Sequence, residues 1–309
     1  YLWRDDEQEP LVGNPAYFYG QKEVIEPAGR HYSHDLMVDD ALDWVRQRRG
    51  GPFFLYLAFT IPHVSLQVPA DSLAEYAGKW AETPMTTSKH YANHAAPRAA
   101  YAAMITRMDR DVGRLMAMVK ELGIDDDTLV FFASDNGAVF PVAGTDPDFF
   151  NSSGGLRGYK QDLYEGGIRT PLIARGPGRI AAGATSDLVG AFWDILPTLC
   201  EVAGVESPAD TDGVSIAPTL FGRTGQVLHE YLYWEYQSGG RAQAVRFGPW
   251  KAVRNDLNQS PDAAPELYNM AADPRETTNL AEERSELAAK AAAYMKAAHA
   301  PSWEPKWNF

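Results

Sequence analysis

The 309 residues carry 41 acidic against 28 basic side chains, a formal net charge of −13, with 45% hydrophobic and 22% charged residues, the composition of an ordinary globular protein. The acidic balance argues against nucleic acid as a partner, because phosphate binding needs a basic face, and it leaves any anionic substrate to a local cluster of cations or metal. The single cysteine, Cys200, excludes an intramolecular disulfide and a Cys-rich metal site, and no apolar run is long enough to span a membrane.

Residues 1 to 34 read as loop and turn, rich in Pro, Gly and Asn. From Asp35 to Arg49 the apolar positions Leu36, Met37, Leu42, Trp44 and Val45 predict an amphipathic helix, capped by Ser33 and stopped by Gly50-Gly51. PFFLYLAF follows, a continuous apolar run that predicts a buried, parallel strand, and it leads into the Pro-rich loop TIPHVSLQVP. Residues 65 to 97 are polar and irregular. Ala99 to Leu122 predicts a long helix with Met104, Met108, Val112, Leu115, Met116 and Val119 as its stripe and Gly123 as its stop. TLVFFAS reads as a second buried strand that runs straight into Asp-Asn-Gly.

Residues 137 to 168 are dense in Gly, Asp and Asn, and a loop that long inside a compact domain is usually functional. PLIAR is a further short strand, and Phe192 to Ala203 a helix kinked by Pro197, with Cys200 as a small core residue. After Gly222 the pattern shifts to the short strands YLYWEY, AQAVRFG, WKAVR and ELYN, with the turn FGPW, and a terminal helix over about Ala281 to His299. The fold class is therefore α/β. Residues 1–222 form an α/β domain around a mostly parallel sheet, and residues 223–309 a small antiparallel sheet with a helix.

In an open α/β sheet, ligands bind beyond the C-terminal ends of the strands. Pro62-His63 and Asp135-Asn136-Gly137 follow the two predicted buried strands, and the Gly158-Tyr159-Lys160 segment leads through Glu165-Gly166-Gly167-Ile168-Arg169 to the next. Asp135 and Asn136 set two hard oxygens side by side, suited to Ca²⁺ or Mg²⁺, although a plain Asp-Asn-Gly turn uses the same residues. Lys160 is a point charge for a tetrahedral oxyanion or a solvated surface cation. His63 is a proton donor and anion contact or a satisfied loop histidine. Glu165 and Arg169, four apart, form a pair that braces the loop behind the site.

The order of Pro-His, Ser-Asp-Asn-Gly and GxKxxxxEGGxRTP resembles the type I, formylglycine-dependent sulfatases of the alkaline phosphatase superfamily. YSHDLMVDDALDWV, LRGYKQDLYEGGIRTPLIARGPG, FWDILPTLCEVAG and ELYNMAADPRETTNLA extend the likeness along essentially the whole chain. The subgroup it resembles is the bacterial arylsulfatase A-like or N-acetylgalactosamine-6-sulfatase-like enzymes. The resemblance implies a partial alkaline-phosphatase-like α/β sandwich and a sulfuric ester hydrolase acting on sulfated sugars or aryl sulfates. It implies Asp135 and Asn136 as two ligands of one Ca²⁺, Lys160 on the sulfate oxygens, and His63 on the sulfate and the leaving oxygen. A periplasmic or secreted location goes with the family.

The sequence departs from the family where the nucleophile belongs. The motif Cys-x-Pro-Ser-Arg does not occur, and Cys200 is followed by Glu-Val-Ala. Paired aspartates that complete the calcium site, and an upstream Lys and His, are also absent. The resemblance then implies a C-terminal portion with formylglycine and the remaining calcium ligands upstream, inactive and poorly stable alone. Two further readings stay open: a non-catalytic binder of sulfated glycans, and a phosphoester or phosphonate hydrolase of the same superfamily. Substrate choice is expected from residues 65–97 and 138–157 and from Trp234 and Gln237, with His31, His34, His90 and His94 as pocket candidates. Arg98, Arg157 and Arg241 are candidates for a second anionic group of the substrate.

Overall fold

The computed structural model describes residues 2–14, 29–86, 91–304 and 307–308. The chain divides into two compact units, Tyr1–Thr128 with Phe140–Pro147 and Leu129–Val139 with Asp148–Phe309. His90 lies outside the described residues.

The first unit opens on a hairpin of β1 (Leu2–Arg4) and β2 (Glu7–Glu9), turned at Asp5, whose φ is +55°. Aspartate tolerates that conformation better than most residues. Three-residue strands of such polar sequence carry no period-2 pattern, so the expected loop over residues 1–34 missed them. Helix α1 (Ser33–Arg48) buries Val38, Ala41, Leu42 and Val45; Tyr32 holds the cap position and Ser33, the expected cap, is the first helical residue. After a short α2 (Ala70–Ala74) comes α3 (Pro97–Glu121). Pro97 starts it, where a missing N–H costs no helical bond, and Gly123 follows its end at φ +69°.

Val38, Leu42 and Val45 of α1 pack with Met118 of α3. The first turns of α3 bury Ala100 and Ala103 against Ile61, Leu66 and Val68. The predicted strand Phe53–Phe59 does not form. The segment alternates, with Phe54 67% and Tyr56 77% exposed while Phe53, Leu55 and Phe59 pack on the α1–α3 core. Among the described residues no strand ladder includes it, and a strand buried on both faces needs such neighbours.

In the second unit β3 (Val130–Ala133), α4 (Glu165–Ile168) and β4 (Leu172–Arg175) come in order, and β3 pairs with β4 antiparallel, Val130 opposite Arg175. This corrects the mostly parallel sheet expected from the sequence: every ladder among the described residues is antiparallel. A parallel pair needs a crossover, commonly a helix, and the connection from β3 to β4 contains only the four-residue α4. Helix α5 (Ile195–Ala203) follows a single 3₁₀ turn over Phe192–Asp194. Pro197 therefore falls in its first turn, where proline is tolerated, and the expected kink has no cause. Cys200 is half-buried, not core. A short α6 (Ala217–Leu220) completes this part.

The C-terminal sheet is a meander of β5 (Leu232–Tyr236), β6 (Ala242–Phe247), β7 (Trp250–Arg254) and β8 (Glu266–Asn269), followed by α7 (Ser285–Ala298). The antiparallel sheet with a helix expected from the alternating runs is present. Its two faces have different covers. Val245, Phe247, Ala252 and Leu267 meet Ala291 and Met295 of α7. Ala242, Ala244, Val253 and Tyr268 on the other face meet Leu163 and Tyr164. Fully burying each large apolar side chain is worth about 1.5–3 kcal/mol, so Leu163 and Tyr164 hold the chain just before α4 to the sheet, as Met295 holds α7. Among the described residues no helix is long and apolar enough to cross a membrane.

Candidate active site

Strand β3 delivers Ser134-Asp135-Asn136-Gly137 at its C-terminal end. The turn is self-braced: Ser134 Oγ donates to the Asn136 carbonyl at 2.8 Å, and Asn136 Nδ2 donates to the Gly137 carbonyl at 2.9 Å. It is also locked to the Lys160 loop through backbone. The Gly137 N–H donates to Gly167 O at 2.8 Å, the Lys160 N–H to Ala138 O at 2.6 Å, and the Gly166 N–H to Arg157 O at 2.7 Å. The approach is so close that a Cβ on Gly137 would lie 1.9 Å from Gly166 O, and one on Gly166 would lie 2.1 Å from Gly158 O. Only glycine permits backbones to meet at that distance. The three motif elements Asp-Asn-Gly, Gly-Tyr-Lys and Glu-Gly-Gly thus form one hydrogen-bonded block.

That block presents chemistry uncommitted to the fold. Asp135 is exposed and Lys160 half-buried, and among the described residues neither the carboxylate nor the ammonium has a hydrogen-bond or ion-pair partner. Asn136 uses its amide nitrogen internally, which leaves Oδ1 as a ligand oxygen. Two hard oxygens of this kind fit Ca²⁺, which takes about six to eight. Among the described residues no group of three or more His, Cys, Asp or Glu side chains is placed to hold a metal.

Behind the block, Glu165 is buried and its expected partner Arg169 stands 3.6 Å away, itself 59% exposed. The stronger partner is one that sequence reasoning missed. Lys251 Nζ, with no exposed surface, lies 2.9 Å from Glu165 Oε1 and 2.8 Å from Glu276 Oε1. Glu276 Oε2 in turn accepts the Glu165 N–H at 2.7 Å. Burial pushes the Glu276 carboxyl above the ordinary glutamate range, against the pull of Lys251. Arg246 adds a contact to Glu165 Oε2 at 3.6 Å.

Arg157, a candidate for substrate, is instead committed to the fold. Its guanidinium stacks on Tyr164 at 3.7 Å and donates to Tyr268 Oη at 2.8 Å and Glu276 O at 2.9 Å. Arg241 donates to Asn308 O, and Trp234 packs beside Trp193 at 5.6 Å. Gln237 donates to Glu235 at 2.6 Å.

His63 belongs to the first unit. Its ring is exposed, and Nδ1–H donates to Val64 O at 2.6 Å. That bond places a proton on Nδ1 and leaves Nε2 as the ring nitrogen without a partner in the fold among the described residues. His34, a pocket candidate, is fully buried with Nε2–H donating to Asp111 at 2.9 Å, so it serves the α1–α3 core. His94 Nδ1 accepts the Ala96 N–H at 3.0 Å, and His31 is exposed, its backbone N–H donating to Asn14. Arg98 pairs with Asp146 at 2.6 Å.

The Sulfatase family model matches residues 3–205, and the model described as N-sulphoglucosamine sulphohydrolase, C-terminal, matches residues 158–298. The chain belongs to the sulfatase family. This sulfatase chain is 31% identical over 255 residues to N-acetylgalactosamine-6-sulfatase of Mus musculus, which covers 81% of this chain and 43% of that protein. It is 31% identical over 285 residues to arylsulfatase A of Bos taurus, covering 84% of this chain and 49% of that one. The sulfatase chain thus spans less than half the length of these curated relatives. Among solved structures it is similar to Ps i-CgsB in complex with k-i-k-neocarrahexaose, with a TM-score of 0.71 at 23% identity, over 87% of this chain and 55% of that one. The alkaline-phosphatase-like sulfatase fold is therefore the architecture to which its small antiparallel sheets belong.

Proposed function

We propose that the protein carrying this chain is a calcium-dependent sulfuric ester hydrolase acting on sulfated carbohydrate. One observation carries the reading: Asp135, Asn136 and Lys160 are held in a single backbone-locked block, with the Asp135 carboxylate, Asn136 Oδ1 and the Lys160 ammonium unclaimed by the fold among the described residues. Two hard oxygens beside an ammonium suit a bound divalent cation and a tetrahedral anion. The similarity to a structure solved in complex with k-i-k-neocarrahexaose, and to an enzyme named N-acetylgalactosamine-6-sulfatase, supports a sugar sulfate as substrate.

In this mechanism Asp135 and Asn136 hold Ca²⁺, which when bound supplies positive charge to the sulfate oxygens. Lys160 binds a sulfate oxygen as a point charge, placed by its N–H bond to Ala138, and neutralises charge that grows in the transition state. His63 faces the departing sugar oxygen through Nε2: in its doubly protonated form it gives that oxygen the Nε2 proton and keeps the Nδ1 proton on Val64 O. The nucleophile, formylglycine, is assigned to a part of the protein upstream of Tyr1, together with the remaining calcium ligands. Glu165 and Arg169 act behind the site, on the loop that carries Lys160.

Peptide mapping of the natural protein by mass spectrometry tests this directly. The expected result is an upstream Cys-x-Pro-Ser-Arg peptide whose cysteine has become formylglycine. A natural chain whose first peptide begins at Tyr1 contradicts it and favours a sulfated-glycan binder.

A further inference from the structure

We propose that Lys251, far along the chain in β7, is a positioning residue for the Lys160 block: it bridges Glu165 and Glu276 and so fixes α4 against the C-terminal sheet. The inference rests on the sulfatase reading for its functional meaning, but not for its geometry.

The path is short and continuous. Lys251 holds Glu165 at 2.9 Å. The next two residues, Gly166 and Gly167, are the ones that lie against the Asp-Asn-Gly turn, through the Gly137 N–H to Gly167 O bond at 2.8 Å and the Gly137–Gly166 backbone contact. The other end of the loop is held from the same sheet. Arg157 donates to Tyr268 Oη and to the Glu276 carbonyl, while its own carbonyl accepts the Gly166 N–H at 2.7 Å. Glu276 therefore touches both ends, by side chain at Glu165 and by main chain at Arg157. Lys160 lies between these two anchors, and its N–H reaches Ala138 at 2.6 Å.

A buried ion set is a poor way to gain stability, because well-packed apolar groups of similar volume do as well or better. Its advantage is directional: one ammonium between two carboxylates admits one arrangement. Without Lys251, Glu165 and Glu276 become like charges side by side in a dry site, faced by Arg169 and Arg246 at 3.6 Å from Glu165 and by Arg157 at the Glu276 carbonyl. The pair relaxes by moving apart, and α4 moves with Glu165.

The test is Lys251→Met in the natural protein, read by amide hydrogen exchange and by kinetics. Exchange in peptides covering residues 134–138 and 157–169 is expected to rise by about tenfold or more, with residues 97–121 of α3 unchanged. Turnover of an aryl sulfate near neutral pH falls mainly in kcat, and Lys251→Met/Glu276→Gln recovers most of it, because only one of the two carboxylates stays charged. The loss in Lys251→Met also shrinks on acidification, when a proton on Glu276, whose carboxyl burial holds above the ordinary glutamate range, replaces the ammonium. Unchanged exchange in the two segments overturns the proposal, as does a uniform rise that includes α3. If Lys251→Met yields no folded protein, Glu276→Gln is read by the same exchange measurement, with a local rise supporting the proposal and no rise overturning it. Because exchange needs no substrate, a protein that exchanges as expected but hydrolyses no sulfate ester sinks the sulfatase reading alone. Normal turnover with unchanged exchange sinks the positioning role alone.

Discussion

Gly137→Ala would place a methyl carbon 1.9 Å from Gly166 O, 2.8 Å from Gly166 C and 3.0 Å from Gly167 C. All three atoms are backbone, so no rotamer change relieves the clash. The turn must lift away from α4, and the Gly137 N–H bond to Gly167 O, now 2.8 Å, is lost. Overpacking of this sort costs about 1–3 kcal/mol, and a hydrogen bond about 0.5–1.5 kcal/mol, for a sum of roughly 1.5–4.5 kcal/mol. At about 2–4 °C per kcal/mol, the figure for chains of about 150–250 residues, the thermal midpoint should fall by roughly 3–18 °C. The assay is thermal and urea unfolding of the natural protein beside Gly50→Ala, where an added Cβ meets nothing within 4 Å. Sulfate ester turnover should fall with Gly137→Ala and hold with Gly50→Ala. A Gly137→Ala protein within about 0.5 kcal/mol of its parent would refute the claim that the block is locked backbone to backbone.

Gly113 lies inside α3 with open space at its Cβ, so Gly113→Ala should stabilise by about 0.5–1 kcal/mol, read as a raised urea midpoint. Lys160→Ala should cut kcat/KM for a sulfate ester by about 10²–10³ while the unfolding midpoint stays put, since the ammonium has no partner in the fold. Asp135→Ala should weaken calcium binding, measured by titration calorimetry, with secondary structure unchanged by circular dichroism. Burial holds both His34 and His94 below the ordinary histidine range. Their contribution to stability is therefore complete above about pH 6.5 and is lost as pH falls below it, when the unfolded chain takes up protons first. Urea midpoints should drop between about pH 7.5 and about pH 5.5, and His94→Gln should flatten that slope.

The helices and the C-terminal strands were legible because their apolar positions repeat at periods near 3.6 and 2. The Asp135–Asn136 turn and the Lys160 loop stood out as polar, Gly-rich segments at a strand end and inside a long connection. The geometry of their union was not legible, since it depends on Gly137 and Gly166 meeting backbone to backbone. Pairing direction was misread: TLVFFAS and PLIAR are apolar enough for a parallel core, yet they pair antiparallel with each other. PFFLYLAF shows the same limit, since composition marks a strand but not whether it has neighbours. The alanines of α3 carry little hydrophobic signal although Ala99, Ala100 and Ala103 are fully buried. Lys251 in WKAVR reads as a solvent-facing residue of an alternating strand, and Glu276 as part of a polar turn. Both meet Glu165, which lies 86 residues from Lys251 and 111 from Glu276, a separation no local pattern reports. Arg157 shows the same limit, since nothing local in a Gly-rich loop reports its contacts with Tyr164 and Tyr268.

The measurement closest to the central claim is the turnover of an aryl sulfate and of the matching aryl phosphate by the natural protein, with and without a calcium chelator, beside Lys160→Ala. The account predicts faster hydrolysis of the sulfate, inhibition by chelation, and a loss of that activity in Lys160→Ala. Preference for the phosphate, or sulfate hydrolysis that survives both chelation and Lys160→Ala, would contradict it.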